Sequence, residues 1–225
     1  MKSLSLTGLL LATLAGSTAV ALPLVDQTGN LLSNGNFESG STTPTNSGSG
    51  VSTFSSLTGW NQYSNTGPVT STWAGTPVVE GDHSARITGN TNDGLYQYNG
   101  GYTGTYTLSA WVYALSGSAH LVLAWNSGST TAIGSSSTLT GQWEYLSVTA
   151  TMNGSLGGPV LYGASNNADF YIDGVWINAG STSSSPMDPG TGFNPNAVST
   201  DVPEPASAAL LLGGLGLLAR RRTRR

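Results

Sequence analysis

The chain has no cysteine, which excludes disulfides, thiolate zinc sites and thiol nucleophiles and leaves stability to packing and hydrogen bonds. Basic residues are nearly as scarce. Of seven, six are Lys2 and the arginines Arg220, Arg221, Arg222, Arg224 and Arg225, so Arg86 stands alone between the two ends against eleven acidic residues. Neutralising phosphate takes lysine or arginine, so this middle region is no partner for nucleic acid or for an anionic membrane surface; cations and neutral glycans suit it. Helical periodicity is missing as well, since no 3.6-residue pattern appears between the two hydrophobic ends. His83 and His120 occur singly, without the spacing of a zinc site or a hydrolase triad.

What the chain does have begins at its ends. Lys2, an apolar stretch around Leu9 to Leu14 and the small-x-small triplet Ala19-Val20-Ala21 read as a secretory signal peptide over residues 1–21,. Residues 202–225 open on Val202-Pro203-Glu204-Pro205, continue as an apolar run from Ala206 to Ala219 and close on the five arginines. Two prolines one residue apart deny the backbone helical hydrogen bonds, so the motif stays extended and open to a processing enzyme. The apolar run predicts a single hydrophobic helix rising about 21 Å. A bilayer core is about 30 Å thick, so that helix spans it only with local thinning or snorkelling arginines. The arginine cluster belongs on the cytoplasmic side, which places everything before it outside.

This tail resembles the PEP-CTERM sorting signal of Gram-negative bacteria: a VPEP motif, a Gly-rich hydrophobic segment and terminal arginines. The resemblance implies a precursor anchored in the inner membrane, processing by an exosortase near the motif, and passage to the cell surface or extracellular matrix.

Between the ends, residues 22–179 are of single-domain size. Asn34-Gly35 is a turn dipeptide. Ser39 to Gly50 reads as a loop. From there short β-type runs recur near Leu57–Tyr63, Val69–Trp73, Pro77–Glu80, Ser84–Thr88, Gly94–Tyr98, Thr105–Ala114, Ala119–Asn126, Thr131–Thr138, Trp143–Met152, Val160–Ser165 and Asp169–Asn178. Their even spacing, enrichment in Thr, Val, Tyr and Trp, and thirty-one glycines predict an all-β, antiparallel sandwich,. In one run, alternation puts Tyr106, Leu108, Ala110 and Val112 on one side and Thr107, Ser109, Trp111 and Tyr113 on the other. One set is core; the other fits either a shallow binding face or a face covered by a second layer. Residues 180–201 are rich in Ser, Pro, Gly and Asn without alternation and read as a flexible linker.

The middle region resembles jelly-roll, galactose-binding-like carbohydrate-binding modules of xylanases and cellulases. The likeness rests on the opening Asn30-Leu31-Leu32-Ser33-Asn34-Gly35-Asn36-Phe37-Glu38, Gly59-Trp60, Ser84-Ala85-Arg86-Ile87-Thr88, Tyr106 to Trp111, and the closing Phe170-Tyr171-Ile172-Asp173-Gly174-Val175. It implies a jelly roll in which Glu38 and Asp173 meet and help hold a structural calcium (Ca2+), with a backbone carbonyl near Gly81 or His83 as a further donor. This chain departs from the family's two closing acids, having Asp173-Gly174.

Sugars pack their C–H faces on aromatic rings while amides and carboxylates fix hydroxyls. The candidates are Trp73, Tyr96, Gln97, Tyr98, Trp111, Tyr113 and Trp125, with Asn126 and Asp93 as polar neighbours; Trp60, Trp143 and Trp176 are assigned to the core. Glycoside hydrolysis needs two facing carboxylates; Glu80 and Glu144 are available, but no motif pairs them. The sequence therefore points to an exported, non-catalytic protein that binds polysaccharide or exopolysaccharide. The alternatives are a purely structural surface or biofilm-matrix protein, and a polysaccharide hydrolase.

Overall fold

A computed structural model describes residues 23–48, 52–64, 67–98, 102–125, 133–154 and 157–197. The expected signal peptide at 1–21, the tail at 202–225 and Asn126 lie outside the described residues. The chain divides into two units, Met1–Phe193 and Asn194–Arg225; in the second, Ala197 N–H donates to Asn194 O. Among the described residues no helix is long and apolar enough to cross a membrane.

The described part of the first unit is all-β. Its strands are β1 (Thr45–Ser47), β2 (Ser52–Phe54), β3 (Asn61–Tyr63), β4 (Val69–Ala74), β5 (Ser84–Gly89), β6 (Gly94–Tyr96), β7 (Thr103–Ser116), β8 (Ala119–Trp125), β9 (Ile133–Ser136), β10 (Trp143–Asn153), β11 (Gly157–Gly163) and β12 (Ala168–Ala179). They form two antiparallel sheets, β1-β4-β5-β12-β7-β10 and β2-β3-β6-β11-β8-β9, the jelly-roll sandwich expected. Period-two alternation builds the layer between them. Leu108, Ala110 and Val112 of β7 and Leu146, Val148 and Ala150 of β10 face Leu121 and Leu123 of β8 and Leu161 of β11 across the core,. Trp60, Phe37 and Phe170 fill its largest volumes. Removing this apolar area from water is the main force holding the sheets together.

Three expectations change. Residues 45–47 lie in the stretch read as a loop, yet pair with β4 as an edge strand; a polar edge strand buries little and shows no alternation. Pro77–Glu80 is not a strand but a turn that presents backbone N–H groups to carboxylates. Part of the stretch expected as a flexible linker, 180–201, is folded onto the sandwich. Residues 181–193 fold back as a strap on the outward face of β7, β10 and β12, and end in a 3-10 turn, Pro189–Thr191. Met187 is wholly buried beside Val79, Trp111, Trp143 and Tyr171, with Phe193 and Tyr145 packed against them. Beneath the strap β12 bulges between Asp173 and Trp176. Gly174 supplies the left-handed residue there, at φ 57°. A Cβ on it would lie 2.7 Å from Met187 Cε, so both the backbone and the strap require glycine,.

Candidate ligand-binding face

The outward face of the second sheet is set by register. Leu95, Leu161 and Leu121 point into the core, so their neighbours one residue away point out. Tyr63 of β3 and Tyr162 of β11 both pair with Gly94 of β6, and Tyr162 also pairs with His120 of β8. Tyr96 pairs with Asn61 on one side and Val160 on the other. Glycine between two tyrosines keeps the floor at backbone level. A Cβ on Gly94 would stand 2.0 Å from Leu161 O, so the strands approach too closely for any side chain.

The rings form two contacting groups, related through their shared pairing with Gly94. Tyr63 and Tyr96 meet edge-on at 5.8 Å, Tyr96 and Tyr98 lie 4.9 Å apart, and His120 lies 5.1 Å from Tyr162. Tyr63, Tyr96, Tyr98 and Val160 line a pocket of 360 Å³, and Tyr98 is 42 % exposed. Burial pushes the phenols of Tyr63, Tyr98 and Tyr162 up, so they stay protonated and able to donate; neighbouring phenols add to this for Tyr63 and Tyr98. Burial lowers the His120 value and keeps its ring neutral, and its Nδ1 lies 2.5 Å from Ser136 Oγ. The arrangement offers apolar ring faces with hydroxyl donors at their rims and, among the described residues, no formal charge lining the pocket. The region's sole arginine, Arg86, pairs bidentately with Asp169 on the other sheet.

Of the seven expected ligand-binding residues, this face gathers Tyr96 and Tyr98. Gln97 instead ties the core, 3 % exposed: its Oε1 accepts from Ser33 N–H and its Nε2 donates to Ser33 O and Gly59 O. Trp73 stacks on His83 at 3.6 Å and donates to Phe37 O, so it is an internal brace. Trp111, 4 % exposed, lies under the strap and donates to Met187 O; Tyr113 lies on the same sheet against Trp143 and Tyr171. Trp125 ends β8, where its backbone pairs with Gly157; its side chain is outside the described set. Asp93 is buried, with Oδ2 accepting from Asn90 N–H. Tyr63, Tyr162 and His120 are not among the ligand-binding residues the sequence suggests; His120 figures there only as an isolated histidine. Only the shared pairing with Gly94 and with each other unites them, and the sequence does not display register.

Glu38 and Asp173, the two acids of the calcium expectation, each accept from the backbone between Val79 and His83. Asp173 Oδ2 accepts from Val79 and Glu80 N–H, its Oδ1 from Gly174 N–H, and Glu38 Oε1 from Asp82 and His83 N–H. Glu80, also fully buried, accepts from Val25 N–H and Gln27 Nε2, which pins the N-terminal lead. Burial pushes Glu80 up to about 7 and Asp173 well above its ordinary range. Backbone N–H groups thus engage both Asp173 oxygens and Glu38 Oε1, while Glu38 Oε2 lies 3.6 Å from His83 Nδ1; no three His, Cys, Asp or Glu side chains converge as a ligand set among the described residues. Glu144 is spent on Thr138 and Leu139 N–H, so neither hydrolase candidate faces an open cleft with the other.

Residues 201–225 match the PEP-CTERM protein-sorting motif, and that motif implies an exported protein. Among solved structures the fold is similar to the CBM22-1 xylan-binding domain of Paenibacillus barcinonensis Xyn10C, at 16 % identity and TM-score 0.46, covering 64 % of this chain and 99 % of that one. It is similar to TmCBM61 in complex with β-1,4-galactotriose, at 16 % identity and TM-score 0.44, covering 67 % and 99 %. It also resembles the CBM22-1-GH10 modules of Clostridium thermocellum xylanase 10B, at 16 % identity and TM-score 0.45; there 56 % of this chain covers only 27 % of the other. No curated protein matches the chain.

Proposed function

We propose that the chain is a surface-sorted, non-catalytic protein whose β-sandwich binds a neutral polysaccharide, such as exopolysaccharide, on the tyrosine face of β3, β6 and β11. The observation that carries this reading is the pocket between Tyr63, Tyr96 and Tyr98, continued by Tyr162 and His120 and free of charged lining. Ring faces there meet sugar C–H groups, and phenol hydroxyls bond sugar hydroxyls. Uronates, sulfates and phosphates find no counter-charge. Before sorting, residues 206–219 hold the precursor in the inner membrane with the arginine cluster inside, and an exosortase cuts near Pro203-Glu204-Pro205.

The test is retention of the exported protein in native gels cast with neutral or acidic polysaccharides. A neutral polymer should retard it, and Tyr96→Ala should weaken that retardation about tenfold. Absence of retardation by every polymer would favour the purely structural reading. For the tail, the surface form should have a mass lacking Arg220 to Arg225; recovering it intact would overturn the processing step.

A further inference from the structure

The sandwich has four edge strands, and three are short: β1 and β2 have three residues each and β9 has four. The fourth, β10, has eleven. Short edges are a common guard against unwanted pairing, along with lysine, proline and bulges. Strand β10 uses none of these devices. It pairs with β7 in unbroken register from Trp143↔Tyr113 to Asn153↔Thr103, and its sequence, WEYLSVTATMN, holds no Lys, Arg or Pro. Its last position in the sheet leaves the other side without a strand partner among the described residues. In an antiparallel ladder alternate residues aim N–H and C=O away from the neighbour, so from Glu144 to Met152 the far side of β10 has no strand pairing among the described residues,.

We propose that two copies of the chain pair antiparallel along β10, about a two-fold axis near Val148. The strand is its own complement in that register. Ser147 would meet Thr149 and Tyr145 would meet Thr151 on the outward face, while Leu146 meets Ala150 and Val148 meets itself on the core side. Glu144, the strand's one formal charge, would face Met152 rather than another carboxylate. Hydroxyl thus meets hydroxyl and apolar meets apolar, the isologous match a two-fold needs. Ser147, Thr149 and Thr151 are exposed in the single chain. Pairing would join two six-stranded sheets into one continuous sheet.

The absence of native cysteine makes the test direct. Ser147→Cys in the full-length exported chain should be captured as a dimer by a short bismaleimide, about tenfold above an exposed control, Thr42→Cys, on the bend preceding β1,. Adding Thr149→Lys should lower that yield about tenfold while the chain stays folded, with at most a small fall in melting temperature from the lost bonds to Thr107 and Ser181, because a charge is placed on the pairing edge,. Because each copy is acidic, added salt should raise the yield of the Ser147→Cys dimer. Yield no higher than the Thr42→Cys control, or yield indifferent to Thr149→Lys, would overturn the proposal. A second outward position, Thr151→Cys, keeps the test valid if Ser147→Cys fails to fold.

Discussion

The two outward sheet faces carry similar side chains and meet different fates. On the first sheet Trp111, Trp143 and Tyr171 are buried and Tyr145 is half-buried, because residues 181–193 return across them and Val25 packs beside Val79. On the second, Tyr63, Tyr96 and Tyr98 surround a pocket. Alternation sends aromatics outward on both sheets. What closes one face is a segment far away in sequence, anchored by Met187, Asp188 and Phe193. An outward aromatic is therefore a binding candidate only after the returning chain ends have been placed.

The largest effect that would sharpen this contrast is on the covered side. Trp111→Ala removes an indole packed on Tyr145 and Phe193 and breaks its bond to Met187 O. Denaturant unfolding should show a loss of about 3 to 5 kcal/mol, the range for a truncated buried aromatic. Polysaccharide retardation of the remaining folded protein should be unchanged. A loss of retardation at full stability would mean that the strapped face, not the tyrosine face, is the one that binds.

Next comes the staple that holds the other cover. Glu80 fixes Val25 and Gln27 while buried next to Asp173, and burial raises it from 4.5 to about 7. A carboxyl whose folded value lies above its unfolded one binds its proton more tightly when folded. That contribution is whole below about pH 4.5 and is lost as pH climbs through about 7, so stability should fall by roughly 2 to 3 kcal/mol between pH 4.5 and 8. Asp173 is shifted the same way and adds to the trend. Glu80→Gln should flatten the profile. A melting temperature that rises over this interval would show that the carboxylates are held by something other than these backbone N–H groups.

The sandwich was legible because β7, β10 and β12 alternate long enough to declare a core face, and Trp60, Trp143 and Trp176 were rightly assigned to the interior. The tail was legible from its own ordered motif. Half the candidate face was not. Tyr96 and Tyr98 announce themselves at a spacing of two, but Tyr63 and Tyr162 come together only through cross-strand register around Gly94. The strap escaped for a different reason: Ser, Pro and Gly dominate it, and its few anchoring side chains are too sparse to set a period. Gln97 misled because an amide beside two tyrosines fits sugar binding and a buried backbone tie equally well.

The smallest effect compares one hydroxyl on each face. Tyr145 donates its one proton to Asp188 Oδ2 at 3.1 Å and lies 2.9 Å from Ser183 Oγ, whose hydroxyl can donate to it, and burial raises its phenol to about 12. Tyr145→Phe should therefore cost about 1 kcal/mol of stability, the usual net value of such bonds, and leave binding untouched. Tyr98 is 42 % exposed, so Tyr98→Phe should shift stability by less than about 0.5 kcal/mol. Its effect belongs to the complex, where one lost hydroxyl contact should weaken polysaccharide retardation several-fold, as expected of about 1 kcal/mol. If the two variants exchanged these phenotypes, Tyr145 would be the ligand contact and the strap a cover that opens.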